Sequence, residues 1–178
     1  MGDWKTLSSE KVYETPWIKV RRDEVLNQDG KPLTYSVIEL QHPSVFILAT
    51  NQAGQIFMQR CYRYTIDRTI WNIPAGHSDE GEAPLTAAKR ELEEEAGLVS
   101  DEWLHLGRLH QIIGTGNAPL DAFWAKNVQT TAGPKEELEQ ISDQQFMRLE
   151  EVEKMAIRGD IEDAPLLAVL YLAKMHGL

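Results

Sequence analysis

The chain has 178 residues, of which 42% are hydrophobic and 26% are charged, and its formal net charge is −10. This length fits one domain with a small appended subdomain, and the composition argues against a disordered chain and against a membrane protein. The negative charge repels phosphate backbones and no basic patch offsets it, so nucleic acid is not an expected partner.

The N-terminal part of the chain favours a small antiparallel sheet. Short β-prone runs at 11–13, 17–22 and 34–40 are separated by turn signals, and residues 27–30, Asn-Gln-Asp-Gly, are typical of a hairpin loop. His42-Pro43 then breaks the pattern. We therefore expect an N-terminal β subdomain over residues 1–42 and a main domain over residues 43–178.

The main domain mixes strand and helix patterns. Runs at 44–50 and 55–62 flank a turn and predict a second hairpin, and runs at 103–113 and 120–128 predict further strands. Proline in the first turn and glycine after the last turn are typical helix boundary signals. They help to predict three helices, over Pro84–Ala96, Leu149–Arg158 and Ala164–Met175. This order of elements predicts an α+β or layered α/β/α domain.

Two features bear on the compartment. Cys61 is the one cysteine, so no internal disulfide can form, and the first residues lack the apolar segment of a signal peptide. The longest apolar run, 166–173, is too short to span a bilayer, so no membrane is expected as a partner. The expected localisation is cytoplasmic.

Residues 76–98 read GHSDEGEAPLTAAKRELEEEAGL and carry the clearest chemical pattern. Glu91, Glu94 and Glu95 are spaced i, i+3 and i+4, which places them on one face of the predicted helix. Three like charges there repel one another unless a cation neutralises them, and carboxylate oxygens suit Mg²⁺, with Mn²⁺ as a substitute. The alternative is a solvated acidic helix face.

Residues around this acidic face have predicted supporting roles. Arg90 lies about 100° around the helix from Glu91, so we expect it to pair with Glu82 and orient the loop rather than touch a metal. Gly76 follows Ala75, and a glycine there lets the chain turn so that the Ala75 carbonyl can face the metal. An ordinary turn glycine is the alternative.

The same stretch resembles the Nudix box, which is Gly, five residues, Glu, seven residues, then Arg-Glu-aliphatic-x-Glu-Glu-x-Gly-aliphatic. All nine constrained positions are filled in residues 76–98. A chance match of this kind is expected in about one window in a billion. The resemblance implies a Mg²⁺-dependent Nudix hydrolase with the Nudix fold, an α/β/α sandwich with a mixed sheet, beside the N-terminal antiparallel β subdomain.

A wider resemblance covers nearly the whole chain. Residues 61–64, CYRY, and 71–76, WNIPAG, look like the QYR and ELPAG motifs of ADP-ribose pyrophosphatases and related nucleoside diphosphate sugar hydrolases. This group implies cleavage of a nucleotide-sugar at the diphosphate and a homodimer formed through the N-terminal strands. Asn72 replaces the usual Glu, and 112–114 replaces a Ser-Pro-Gly loop, so ADP-ribose and ADP- or GDP-hexoses are all implied substrates.

The resemblance also suggests substrate-binding residues. Arg63 matches an arginine that can clamp phosphate or ribose through two parallel hydrogen bonds, and an ion pair on the strand surface is the alternative. Trp17 matches an aromatic residue that stacks on the base, with core or dimer packing as the alternative. Asn72 can form hydrogen bonds to substrate but brings no charge.

The general base is expected outside the helix, because a carboxylate bound to metal is a weak proton acceptor. The loop at 130–141 contains Glu-Leu-Glu-Gln-Ile at 137–141, which resembles the Glu-x-Glu-Asp-Ile of ADP-ribose pyrophosphatases. Their second Glu serves the catalytic water, and it corresponds to Glu139. Glu137 and Glu136 are the alternatives, and a solvated acidic linker is the non-catalytic interpretation.

A Nudix-fold ligand sensor or regulatory module is the competing function. It would keep the pocket without catalysis, but a sensor has no use for a complete set of metal-binding glutamates. Isoprenoid diphosphate isomerase would need a catalytic cysteine, a role nothing assigns to Cys61. Hydrolysis of nucleoside triphosphates is a further option within the superfamily, and the N-terminal subdomain argues against it.

Overall fold

A computed structural model describes residues 4–131 and 141–178 of the chain. In chain order the elements are β1 (Lys5–Glu14), β2 (Ile18–Leu26), β3 (Pro32–Leu40), β4 (Ser44–Ala49), β5 (Ile56–Arg63), a 3₁₀ helix (Tyr64–Ile66), β6 (Arg68–Asn72), β7 (Ala75–His77), α1 (Pro84–Ala96), β8 (Leu98–Val99), β9 (Glu102–His110), β10 (Gly116–Asn117), β11 (Pro119–Lys126), β12 (Gln129–Thr130), β13 (Ile141–Met147), α2 (Leu149–Arg158) and α3 (Ala164–Met175). The mixture of sheets and helices confirms the α+β prediction.

The chain divides into two compact units. The first unit contains the described residues up to Pro43 together with His110–Leu120, and the second contains Ser44–Leu109 and the described residues from Asp121 onward. The inclusion of His110–Leu120 in the first unit was not predicted. It follows from a pairing between segments that are far apart in sequence.

The first unit is built on an antiparallel meander with strand order β1-β2-β3, to which β10 adds in parallel beside β3. The turn between β2 and β3 forms where the sequence predicted it. Asn27 Oδ1 accepts hydrogen bonds from the backbone N–H groups of Asp29 and Lys31, each at 2.9 Å, and Gly30 takes a φ of 74°. The predicted antiparallel sheet is confirmed, with longer strands than the sequence suggested.

The second unit contains a sheet of order β7-β4-β11-β9 and another of order β13-β5-β6. The predicted second hairpin, between the runs at 44–50 and 55–62, is therefore wrong in its pairing. The turn itself forms, with Asn51 Oδ1 accepting from the N–H groups of Ala53 and Gln55 at 3.0 Å each. Pairing ends after one bridge between Thr50 and Ile56, because β4 and β5 each lie between two other strands.

Helix α1 has the bounds that its sequence predicts. Pro84 lies in its first turn, and Gly97 ends it with a φ of 63°. Its inner face is made of small and branched apolar side chains, which allow a close approach to strands β4 and β7. The core cluster around it comprises Val45, Ile47, Ala49, Phe57, Ala87, Ala88, Leu92, Ala96, Leu98, Phe123, Ala125 and Val128.

The two C-terminal helices also have their predicted bounds. Helix α2 ends at Gly159, which has a φ of 80°, and α3 begins after Asp163, whose Oδ1 accepts from the N–H of Leu166 at 3.0 Å. Helix α3 contacts β4, as its apolar composition predicted. No helix in the described part of the chain is both long and apolar enough to cross a bilayer.

Candidate active site

Helix α1 carries the acidic face beside the backbone of strand β7. The Glu91 side chain is 14% exposed and the Glu94 side chain is 33% exposed. Glu95 is buried. Glu95 faces the core side of the helix, next to Ala96 and Leu92, which are also buried. The i, i+3, i+4 spacing therefore places the carboxylates on a surface that lies between the core and solvent.

Arg90 holds this acidic surface together. Its Nε and Nη2 donate to the two carboxylate oxygens of Glu82 at 3.3 and 3.0 Å, which confirms the predicted pair. Its Nη1 also donates to Glu91 Oε1 at 2.9 Å and to Glu94 Oε2 at 3.0 Å, and its Nη2 donates to the His77 carbonyl at 2.9 Å. The contacts with the two helix glutamates were not predicted, and they reduce the repulsion between them.

Glu91 packs directly against strand β7, which precedes the helix in the chain. Its Oε1 accepts from the backbone N–H of His77 at 3.3 Å. Its carboxylate covers Gly76 so closely that a Cβ at that position would lie 2.1 Å from the Glu91 carboxyl carbon. This close approach explains why the position suits glycine.

Glu95 is held by donors from two strands. The Gln59 side chain on β5 donates from Nε2 to Glu95 Oε2 at 2.8 Å, and the Ala75 backbone N–H on β7 donates to the same oxygen at 3.2 Å. Gln144 on β13 donates from Nε2 to the Glu95 backbone carbonyl at 3.0 Å. The carboxylate and the end of the helix are therefore anchored separately.

Burial and neighbouring charges shift the pKa values of Glu82, Glu91 and Arg90. The hydrogen bond from Arg90 and the backbone N–H of Asp79 hold the pKa of Glu82 below its usual value. Burial raises the pKa of Glu91, and the Arg90 guanidinium opposes that rise. Hydrogen bonds to Glu82, Glu94 and Glu91 raise the pKa of Arg90, so its positive charge is permanent.

The acidic surface offers carboxylate oxygens, which are the ligands that hard divalent cations prefer. Across residues 4–131 and 141–178, no three His, Cys, Asp or Glu side chains are already arranged to hold a metal ion. In this arrangement Arg90 donates to Glu91 and Glu94, and Glu95 Oε2 accepts from Gln59. Carboxylate oxygens at this spacing have the right chemistry for Mg²⁺ or Mn²⁺ once Arg90 Nη1 yields its two partners.

The other predicted site residues lie in different surroundings. Arg63 ends strand β5 and is half-buried, and its positive charge lowers the pKa of Asp163, although burial dominates and raises it. Asn72 ends β6, is 1% exposed, and accepts from the Ile73 N–H through Oδ1 at 2.7 Å. Trp17 lies in the first unit, is 63% exposed, and makes an edge contact with the His42 ring.

The predicted base Glu139, with its alternatives Glu136 and Glu137, lies outside the described residues. The hydrogen bonds from Gln59 and Gln144 to Glu95 were not predicted from the sequence. Gln59 did leave a signal, because it is the polar residue in the run Ile-Phe-Met-Gln at 56–59, whose side chains are all buried. A buried amide within an apolar strand requires a partner, and here the partner is Glu95.

Two family models match the chain. The NUDIX domain matches residues 40–170, and the nucleoside diphosphate sugar hydrolase N-terminal domain matches residues 4–38. The two matches follow one another along the chain. The N-terminal domain model covers the strands of the N-terminal sheet up to residue 38. The NUDIX model covers residues 40–170, which include the acidic helix.

Similar proteins cover almost the whole chain. An ADP-ribose pyrophosphatase from Mycobacterium tuberculosis is 30% identical over 178 residues, which is 99% of this chain and 84% of the relative. An ADP-ribose pyrophosphatase from Bacillus subtilis is 28% identical over 181 residues, covering 98% of this chain and 95% of the relative. A crystal structure of an ADP compounds hydrolase matches with a TM-score of 0.85 at 19% identity, covering 97% and 92% of the two chains, and so supports the fold.

Proposed function

Since the chain belongs to the NUDIX domain family, we propose that it is a Nudix pyrophosphatase that hydrolyses the diphosphate linkage of nucleoside diphosphate sugars. ADP-ribose and ADP- or GDP-hexoses are the proposed substrates. The observation that carries the proposal is the meeting of Glu91 and Glu95 with the backbone of Ala75–His77. The match of residues 4–38 to a nucleoside diphosphate sugar hydrolase domain directs the choice of substrate class.

The reaction is a hydrolysis at phosphorus. Water adds to one phosphorus of the diphosphate, the bond from that phosphorus to the bridging oxygen breaks, and a nucleoside monophosphate and a sugar phosphate leave. Glu139 is the proposed acceptor of the water proton, with Glu137 and Glu136 as alternatives. This assignment rests on the resemblance of 137–141 to the family motif.

Glu91, Glu94, Glu95 and the Ala75 carbonyl would hold Mg²⁺, with Mn²⁺ as a substitute. A bound divalent cation would offset the negative charge on the diphosphate oxygens. Arg90 supports these ligands by fixing the Glu82 loop to the helix through two hydrogen bonds. The burial of Glu95 supports its role as a ligand, because a buried carboxylate is costly without a compensating charge.

Arg63, Trp17 and Asn72 are the proposed substrate contacts. Trp17 is 63% exposed and an indole ring can stack on a base, while the guanidinium of Arg63 suits a phosphate. Asn72 is buried, and its amide is the group proposed to form hydrogen bonds with the substrate. The expected compartment remains the cytoplasm, where nucleotide-sugars are small-molecule metabolites.

A homodimer built through residues 1–42 is proposed on physical grounds. Strand β1 is an edge of its sheet, and each of its ten residues is exposed. Leu7 and Val12 on this strand are 54% and 59% exposed, and Trp4 just before it is 51% exposed. A long exposed edge with apolar side chains is a surface that proteins normally cover.

A product assay tests the function. The purified chain is incubated with Mg²⁺ in ¹⁸O-water with ADP-ribose, ADP-glucose, GDP-mannose and ATP in parallel, and products are identified by mass spectrometry. We expect a nucleoside monophosphate and a sugar phosphate, one of which carries a single ¹⁸O. Cleavage of ATP alone would overturn the substrate class. Saturable binding with no turnover under Mg²⁺ or Mn²⁺ would favour the sensor alternative.

A further inference from the structure

Gln59 is a fully buried amide with one partner group and one unsatisfied atom. It lies on strand β5, is 0% exposed, and donates from Nε2 to Glu95 Oε2 at 2.8 Å. Its Oε1 is buried and finds no hydrogen-bond partner among the described residues. Buried amides usually satisfy both ends, so a half-satisfied one within the core needs an explanation.

The orientation of this amide is set by Glu95. Rotating the amide by half a turn would place Gln59 Oε1 against Glu95 Oε2, and two acceptor oxygens repel at that distance. The donor end therefore faces the carboxylate, and the acceptor end is left without a partner. An unsatisfied buried oxygen destabilises the folded state by about 1–3 kcal/mol, so the contact brings the fold little or no net gain.

The contact does constrain the carboxylate. Gln59 Nε2 and the Ala75 N–H both donate to Oε2 of Glu95, from strands β5 and β7. Two donors that converge on one oxygen from different elements fix the rotation of the carboxylate about its last bond. The direction of the other oxygen, Oε1, is then fixed as well.

We propose that Gln59 is a positioning residue, which orients the Glu95 carboxylate for binding of a divalent cation. This inference rests on the proposed metal-dependent function of the same site. Gln59 lies directly opposite Asn72 on β6 and Gln144 on β13, so three neutral amides share one row of the sheet. Neutral donors can hold a carboxylate in place without competing for its charge, whereas a cationic side chain would compete with a metal ion.

The test replaces Gln59 by methionine, which has a similar length and no donor. Mn²⁺ binding to the substrate-free protein is measured by calorimetry and by electron paramagnetic resonance, and thermal unfolding is recorded on the same samples. We expect the dissociation constant for Mn²⁺ to rise about 10- to 100-fold. The Tm is expected to stay equal or to rise, because the unsatisfied oxygen is removed.

Gln144→Met is the matched control. It removes an amide from the same row that also bonds to Glu95, but to its backbone carbonyl rather than its carboxylate. We expect near wild-type Mn²⁺ affinity and a lower Tm, since the last turn of α1 loses an anchor.

Three results separate the possibilities. Equal Mn²⁺ affinity in Gln59→Met and wild type would overturn the positioning role while leaving the proposed function intact. A loss of Tm in Gln59→Met without a change of affinity would assign Gln59 to the fold alone. Absence of divalent cation binding in the wild-type protein itself would instead count against the proposed function.

Discussion

The carboxyl carbon of Glu91 lies 2.1 Å from the place that a β-carbon on Gly76 would occupy. Gly76 is not among the described glycines with positive φ, so its backbone conformation is open to other residues. The position suits glycine because the Glu91 carboxylate fills the space beside it. The sequence suggested that this glycine lets the chain turn, and in the structure the Glu91 carboxylate fills the space that a side chain would need.

Gly76→Ala should therefore impair the site more than the fold. The added methyl group must displace the Glu91 carboxylate, whose side chain can rotate away at low cost, so the free energy of unfolding should change by less than about 1 kcal/mol. Displacement of a proposed ligand should lower kcat/KM by at least about tenfold. Urea unfolding and steady-state kinetics with ADP-ribose and Mg²⁺ measure the two quantities.

Gly54→Ala is the opposite control. A Cβ on Gly54 would meet nothing within 4 Å, but its φ of 72° is unfavourable for alanine. This variant should lose about 1 kcal/mol of stability and keep wild-type kinetics. If Gly76→Ala behaved in the same way, the steric explanation would be wrong.

Neutral replacements of the helix glutamates should separate catalysis from folding. Glu91→Gln, Glu94→Gln and Glu95→Gln should each lower kcat by about 100-fold or more, with the stronger effects at Glu91 and Glu95. The fold should persist, because burial already favours the neutral form of Glu91. Circular dichroism and thermal unfolding of the three variants test this. Unfolding of all three would indicate a structural role.

Arg90→Met should reduce both stability and activity. The guanidinium bonds to Glu82, Glu91 and Glu94. Its loss leaves three carboxylates without that cation, so we expect a decrease of about 1–3 kcal/mol in the free energy of unfolding. Added Mg²⁺ should restore part of this stability if the same carboxylates bind the cation.

Arg22→Met supplies the comparison for Arg90. Arg22 pairs with Glu10 at 2.6 Å, but both side chains are more than half exposed, at 56% and 65%. An exposed pair of this kind contributes at most about 1 kcal/mol. An equal loss of stability in the two variants would mean that the Arg90 network adds nothing beyond an ordinary surface pair.

Asp163 should give a pH-dependent stability difference. Burial raises its pKa above the ordinary value of 3.8, against the opposing effects of the Leu166 N–H and Arg63. A carboxyl group with a raised pKa in the folded state destabilises the fold fully above that pKa, progressively less between it and the ordinary pKa, and not at all below the ordinary pKa. Asp163→Asn should therefore be more stable than wild type at pH 7, and the difference should vanish below the ordinary pKa.

Asp163→Ala provides the control, because it removes the charge and the cap together. Asparagine can still accept from the Leu166 N–H, whereas alanine leaves the first turn of α3 without this hydrogen bond. The alanine variant should be less stable than the asparagine variant by about 1 kcal/mol at any pH. Denaturant midpoints at pH 7 and at a pH below the ordinary pKa decide both points.

The proposed dimer should depend on the apolar side chains of β1. Leu7 and Val12 fall at the two register shifts of the β1–β2 pairing and are exposed. Lysine at both positions should convert a dimer into a monomer in analytical ultracentrifugation, because a charged edge resists association. Asp29→Lys, in the exposed turn of the same unit, should leave the dimer intact. A fully active wild-type monomer at micromolar concentration would refute the dimer.

The sequence by itself determined the features whose causes are local. The bounds of α1, α2 and α3 agree with their predictions, since proline, capping side chains and glycine act within one turn of the helix end. The pairing of Arg90 with Glu82 was predicted from their positions within residues 76–98, and the NUDIX assignment from the resemblance of the same residues to the Nudix box. Such patterns depend on residues close together in the sequence and little on distant segments of the chain.

Only the tertiary structure decided the contacts between distant segments. The turn at 51–54 formed as predicted, yet β4 and β5 entered different sheets, because strand partners depend on β11, β13 and β6 and not on the turn. Gln59 and Glu95 are 36 positions apart, and no local pattern links them. A turn or helix end is set by a few neighbouring dihedral angles, whereas the partner of a strand or a buried amide is chosen by which distant surfaces pack together.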